Sequence, residues 1–595
     1  MKTIDDVHQQ FAAFFNNETL APFAYLLSKR LQEGHICIHQ NDPNLFSNEI
    51  PYPPPFKTSD LNKSSEWVGK KSATRPFILH KEQLYFHRYF NYETLVLKKI
   101  GALLNTETAV VQERKDELMK IKGLVQTLQA TYPIGNLQEP DKIDWQFTAA
   151  IQGTLNNFSI ITGGPGTGKT TTVAKILTLL YTINPLCKVA LAAPTGKAAM
   201  RMAESLKQTN LSISQPIKDC FSRLNPNTIH RLLKPIPDAI YFKHHAENPL
   251  PYDVVVIDEA SMIDVALFAK LLDAIHPNTR LILLGDKNQL ASVEAGSMFG
   301  DLCKTMETLN RFSSSSADFI NLLMTDQERT ITPNFIASPN HPLAEHIIEL
   351  QRSHRFSSTG GIGKLSTAII NNQVSVLNQL IQSNNDPAVI IDINHDTALF
   401  ESFIEGYSAY LTETDIAIAL QKLTQLRVLC AVREGPQGLY AINQSIENYL
   451  GKRKLIDPSD EFYENRPIII TKNYADLALY NGDIGIIRKD SNGNMRAWFE
   501  DSEKNIRGVM PGYITGAETV FAMTIHKSQG SEYNQVLVIL PSHSGTQLLT
   551  RELLYTAVTR AKEKVIVQST ENILLETAKG SVKRASGIIH RFEEI

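Results

Sequence analysis

The stretch "GGPGTGKT" at residues 163–170 constrains this chain more than any other. It fits G-x-x-x-x-G-K-[ST], with Gly163, Gly168, Lys169 and Thr170 in the required places, between the apolar run "FSIITG" and the helical "TTTVAKILTLLYT". A loop of this kind points backbone N–H groups at phosphate oxygens, and the helix behind it adds partial positive charge. Lys169 then meets the β- and γ-phosphates, and Thr170 is the expected ligand of Mg2+. Nucleotide binding is the expectation.

The flanking texture fits. From Asp141 onward, short apolar runs alternate with helical ones: "FSIITG" (158–163), "KVALAAP" (188–194), "DVVVIDEAS" (253–261) and "RLILLGD" (280–286). Such alternation predicts a parallel sheet covered on both faces. A second series, "AVIIDI" (388–393), "RVLCAV" (427–432), "QVLVIL" (535–540) and "KVIVQ" (564–568), predicts a second α/β domain. Residues 435–516 break the second alternation. Hairpin-like stretches with Asn-Gly turns there predict a small inserted β-barrel. At 595 residues the chain exceeds one core, and three units are expected: 1–140, mainly helical; 141–345; and 346–595 with the insertion. The serine- and proline-containing sequence between Leu302 and Glu349 ("SSSSAD", "ASPNHP") reads as the connection between the α/β domains.

Composition narrows the class. Hydrophobic residues make up 43% and charged residues 20%, as in a globular protein. No apolar run approaches the roughly 20 residues that cross a bilayer, and the N-terminus does not read as a secretory signal. Five cysteines without paired spacing suit a reducing compartment, so a cytoplasmic location is expected. A net charge of −3 supplies no global attraction to nucleic acid, so DNA would need a local groove.

The run "VVVIDEAS" places Asp258 and Glu259 at the end of a buried strand. There one acid supports Mg2+ and the other orients or deprotonates water, a division suited to hydrolysis. Hydrolysis also needs positive charge on the phosphoryl group, and Arg355 in "RSHRF" and Arg560 in "LLYTAVTRAKEKV" are the candidates. Either arginine taken singly also fits a solvated surface charge. Other signals carry less. "HICIH" (35–39) reads as a strand with buried isoleucines, not a zinc site. "ERK" (113–115) lies in helical sequence and marks no nuclease. Ser528 and His526 lack the acid and the elbow of a triad.

In order along the chain stand "GGPGTGKT", "APTGKAA" (193–199), "TIHRLL" (228–233), "IDEASM" (257–262), "LLGDKNQLASVEAG" (283–296), "MTIHKSQGSEY" (523–533) and "LYTAVTRA" (554–561). Together they resemble the superfamily 1 DNA helicases of the 5′-to-3′ branch, most closely the RecD family of α subunits of RecBCD enzymes (exodeoxyribonuclease V).

The resemblance implies two RecA-like P-loop NTPase domains with ATP between them and single-stranded DNA across the top. It implies an ATP-hydrolysing helicase acting on DNA ends in double-strand break repair by recombination, with RecB-like and RecC-like partners and no membrane. The nuclease would belong to a partner. A regulatory subunit with little unwinding of its own, or a stand-alone helicase, are the alternatives.

For the site it implies a nucleotide held by Gln146 at adenine, by Gly163, Gly164, Pro165, Gly166, Thr167, Gly168, Lys169, Thr170 and Thr171, and by Glu532 at the ribose. Catalysis would fall to Lys169, Asp258, Glu259, the sensor Gln289 and the fingers Arg355 and Arg560, with Mg2+ on Thr170 and Asp258. Thr195, Lys197, His230, Thr524, His526, Lys527 and Ser528 would lie along the DNA. Residues 234–250 would form a β-hairpin pin that splits the duplex.

Overall fold

The computed structural model describes all residues except 1–5, 40–50, 53–60, 62–63, 72, 130–140, 209–212, 339, 357–359, 384–385, 475, 502–503, 544–547, 583 and 595. The proline-, serine- and lysine-rich sequence at 51–72 reads as a loop, and much of it lies outside the described residues.

The first sheet has six parallel strands. In spatial order they are Ile347–Leu350, Phe158–Gly163, Arg280–Gly285, Val254–Ile257, Val189–Ala193 and Pro226–Thr228. Alternate residues of each central strand enter different cores. Ile161, Ile282 and Val256 join one cluster, while Ile160, Leu281, Leu283 and Val255 join the other. Both faces are covered, which is why these strands read as unbroken apolar runs.

A second parallel sheet runs Val389–Asp392, Ala561–Gln568, Tyr533–Ile539, Leu426–Cys430 and Ala522–Thr524. Its strands divide in the same way: Val536 and Val538 face one core, Leu537 and Ile539 the other.

Three findings differ from the sequence expectations or extend them. Residues 467–519 form a five-stranded antiparallel sheet in linear order Ile506–Val509, Met495–Glu500, Ile484–Lys489, Pro467–Ile470 and Ala517–Thr519. Among the described residues its two edge strands do not pair, so the insertion is an open sheet where a closed barrel was expected.

The stretch "SSSSAD", read as linker, opens the helix Ser314–Leu323. Ser313 caps it by accepting from Ser316 N at 3.2 Å, and Ala317, Ile320 and Leu323 are buried in the first core. Serine as a cap resembles serine in a loop. Strand Ile347–Leu350 falls beyond residue 345 yet pairs with Phe158–Gly163, so the first sheet extends past the expected boundary.

The N-terminal region carries the helices Val7–Ala13, Ala21–Gln32, His87–Thr108, Val111–Lys120 and Lys122–Thr127, with a small four-stranded sheet among them. Its apolar helical faces are mostly used internally. Val96, Leu97, Ile100 and Leu103 pack into the first α/β core. "HICIH" contributes the strand Cys37–His39, and His35 Nδ1 accepts from Ala585 N at 3.0 Å. "ERK" lies on Val111–Lys120, where buried Arg114 donates to Asn157 Oδ1 at 2.7 Å.

Candidate functional site

The phosphate loop leaves the C-terminal end of strand Phe158–Gly163 and enters the helix Lys169–Ile183. Gly166 (φ 77°) and Gly168 (φ 87°) are in the left-handed region, where glycine alone is unstrained. The loop is also closely packed. A Cβ on Gly168 would stand 2.1 Å from Gln146 Nε2, and one on Gly166 would stand 2.4 Å from Arg355 Cβ.

Gln146 Nε2 donates to Thr167 O at 3.0 Å. Ser353 Oγ donates to Pro165 O at 3.1 Å, and His354 N to Gly166 O at 2.8 Å. Lys169 Nζ donates to Gly163 O at 2.6 Å and to Gly164 O at 3.3 Å. Thr170 is half-buried and Thr171 exposed.

Asp258 and Asp286 end the adjacent parallel strands Val254–Ile257 and Arg280–Gly285, where ligands of open α/β sheets bind. Burial and the neighbouring Glu259 push the Asp258 pKa up, while the Lys169 ammonium pulls it down. Burial raises Asp286 too, again opposed by Lys169. The lysine's charge therefore acts on both acids. Glu259 takes a left-handed backbone (φ 51°) and donates its N–H to Asp258 Oδ1 at 2.8 Å.

Gln289 Nε2 donates to Asp286 Oδ2 at 3.2 Å, and the same oxygen accepts from Tyr555 OH of the second α/β domain at 2.9 Å. Two more bonds cross there: Leu290 N to Thr556 Oγ1 at 2.9 Å and Gln529 Nε2 to Leu290 O at 3.1 Å.

Both candidate arginines are engaged within the protein. Arg355 pairs with Glu532 through both terminal nitrogens, at 2.8 and 3.0 Å. Arg560 is buried, donating to Thr556 O at 3.1 Å and Ser531 O at 3.2 Å. Glu532 also takes Arg201 at 2.8 Å. Burial alone would raise the Glu532 pKa, but the Arg201 and Arg355 guanidiniums outweigh it and hold the carboxyl at about 2.

The residues expected along DNA gather only in part. Thr195 caps the helix Gly196–Lys207, and Arg201 on that helix donates to Gly530 O at 2.6 Å, so the 526–532 segment lies against it. Lys197 and His230 are exposed. His526 is half-buried, and burial with the nearby Arg584 lowers its pKa. Lys527 pairs with Glu518 at 2.9 Å, and Thr524 Oγ1 accepts from Lys527 N at 3.3 Å. Ser528 departs from expectation: it is fully buried, donating to Ile525 O at 2.7 Å, and shapes the turn.

Residues 234–250 fold back through isolated bridges, Pro235 with Phe242 and His245 with Asn248, in place of a regular ladder. Ile240 and Tyr241 stand exposed at the tip.

Sequence reasoning missed Arg201, Ser353, His354, Asp286 and Tyr555. Arg201 had a signal, since it lies four residues after Lys197 and shares its helix face. Tyr555 and Asp286 lay inside recognised motifs without a role.

Two RecA-like parallel sheets joined across a phosphate loop, strand-end acids and crossing bonds define a P-loop motor of the helicase type. Residues 146–295 match the AAA domain family, and residues 519–568 match the UvrD-like helicase C-terminal domain.

The RecBCD enzyme subunit RecD of Mycolicibacterium smegmatis is 32% identical over 585 residues, 95% of this chain and 92% of that protein. That of Haemophilus influenzae is 34% identical over 82% of this chain and 79% of its own length. The ATP-dependent RecD2 DNA helicase of Deinococcus radiodurans is 26% identical over 75% of this chain and 53% of its own. The chain belongs to the RecD family.

Proposed function

We propose that this chain is an ATP-driven 5′-to-3′ DNA helicase, acting on DNA ends as the RecD-type subunit of a RecBCD enzyme with RecB-like and RecC-like partners. The observation that carries the reading is the bonded seam at residues 286–290. There the strand end beside the phosphate loop is held by Gln529, Tyr555 and Thr556 of the other RecA-like domain. Closure and opening along such a seam turn nucleotide state into domain motion, and hence into stepping on DNA.

Gln146, which packs on Gly168, would read the base. Lys169 and the loop amides bind the phosphates, Glu259 orients water, and Gln289 senses the γ-phosphate. Arg355 and Arg560 supply transition-state charge once freed from their present partners. Thr170 and Asp258 fit Mg2+, because a hydroxyl and a carboxylate are hard oxygen donors and Mg2+ takes few protein ligands beside phosphate. Bound there, the ion would neutralise phosphate charge.

Thr195, Lys197 and His230 on one domain, with Thr524, His526 and Lys527 on the other, supply donors for a phosphate backbone. The tip residues Ile240 and Tyr241 suit a wedge against a base pair. Among the described residues no helix is long and apolar enough to cross a membrane. We place the protein in the cytoplasm, and partner docking on the N-terminal region, where Val7 and Phe14 remain exposed.

The test is DNA-stimulated ATPase and strand separation on substrates with a 5′ or a 3′ single-stranded tail, for the chain alone and with its partners. Unwinding from the 5′ tail only, abolished by Lys169→Ala, is expected. ATP hydrolysis without strand separation in any assembly would instead make the chain a regulatory ATPase.

A further inference from the structure

Glu532 holds three cations. Arg355 binds it through two nitrogens at 2.8 and 3.0 Å, Arg201 Nη2 stands at 2.8 Å and Lys562 Nζ at 3.7 Å. Arg201 lies on the helix Gly196–Lys207 of the first RecA-like domain. It needs no help from Glu532 to stay in place, because its other terminal nitrogen donates to Gly530 O at 2.6 Å.

Arg355 is rooted elsewhere. Its backbone lies against Gly166, and its neighbours Ser353 and His354 bond to the loop carbonyls of Pro165 and Gly166. A side chain anchored on a phosphate loop but ending on a carboxylate has two anions available to it. Moving from one to the other would normally be opposed, because a desolvated carboxylate left without its cation is strongly destabilised. Here a second guanidinium is already in contact.

We propose that Arg201 is a positioning residue for Arg355: it remains on Glu532 when Arg355 leaves for the nucleotide, which makes the arginine exchangeable between carboxylate and phosphate. The inference rests on the reading of Arg355 as a finger. Glu532 is thereby the holder of that finger as well as a candidate ribose contact. Arg201 stands one turn beyond Lys197 on the helix capped by Thr195, so a strand bound along that helix and the release of Arg355 are mechanically linked.

The experiment measures kcat and KM for ATP with the full chain and saturating single-stranded DNA. It compares the wild type with Arg201→Ala, Glu532→Gln, the double variant and Arg355→Ala. Arg201→Ala is expected to lower kcat about tenfold or more while KM for ATP stays within about twofold, the pattern of an interaction made only in the transition state. Adding Glu532→Gln, whose neutral amide releases Arg355, is expected to restore kcat to the level of Glu532→Gln alone. A merely structural role for Arg201 would leave the double variant no better than Arg201→Ala.

Normal kcat in Arg201→Ala, or no restoration in the double variant, overturns the proposal. Arg355→Ala separates the two readings. If it turns over normally, the finger reading fails and this proposal with it. If it is inactive while Arg201→Ala is normal, only this proposal fails.

Discussion

The Tyr555 hydroxyl donates to Asp286 Oδ2 at 2.9 Å, joining residues 269 positions apart in the chain and on opposite RecA-like domains. Asp286 is buried beside the phosphate loop, and the same Tyr555 oxygen lies 2.9 Å from where a Cβ on Gly164 would stand. One bond therefore ties the seam between the domains to the phosphate loop.

Tyr555→Phe removes that bond and little volume. Hydrogen bonds to charged groups contribute about 1.5–3 kcal/mol, and about 1.4 kcal/mol is tenfold in rate. DNA-stimulated kcat is expected to fall by about tenfold, and the melting temperature to drop by only a few degrees, because Gln289 and the Asn288 N–H still serve Asp286. Steady-state ATPase assays check this, and an unchanged kcat would remove Tyr555 from the coupling path.

The C-terminal segment returns to the N-terminal region through a fully buried ion pair, Arg591 with Glu93 at 3.1 Å. Arg591 also lies over the Phe90 ring at 4.2 Å, and Gly587 N donates to Glu93 Oε1 at 2.7 Å. Removing one member strands the other, at a cost of about 3–5 kcal/mol, whereas replacing both by apolar residues of similar volume is often neutral. Arg591→Ala is expected to lower thermal stability sharply, and Glu93→Leu with Arg591→Met to recover most of it. Differential scanning calorimetry decides. Equal loss in the single and the double variant would mean that packing, not charge, sets the effect.

Asp301 is buried, and burial pushes its pKa up to about 6 against the bond from Ser586 and the charges of Lys304 and Arg584. A folded pKa above the ordinary carboxylate value of about 3.9 means that the folded protein favours the protonated acid. The stability this gives is fully present at pH below about 4 and is lost as pH rises through about 6. Asp301→Asn has no charge to bury, so it is expected to stabilise the protein by about 3 kcal/mol, the worth of about two pKa units, at pH 8 and hardly at all at pH 4. Melting temperatures of both proteins across that range provide the check, and a parallel pH dependence would contradict the assignment.

Much of this was legible because it is local. The loop at 163–170 needs its residues consecutive, and strands buried on both faces show as short apolar runs whatever lies beside them. The order of the motifs likewise lies in the chain itself. Local signals were also where the reading slipped: serines that cap Ser314–Leu323 look like linker serines, and four residues at 347–350 are too few to show which sheet they join.

Tertiary structure alone decided which side chains meet. No spacing pairs Arg355 with Glu532, 177 residues on, or Arg560 with the carbonyls of Thr556 and Ser531. Those partnerships depend on how two separately encoded domains face each other, and side-chain charge and hydrogen bonding act over a few ångströms that the linear order does not contain. Consecutive residues were enough for the phosphate loop, the two parallel sheets and the RecD resemblance. That the arginines are held, and by which partners, followed from the packing of the two domains against each other.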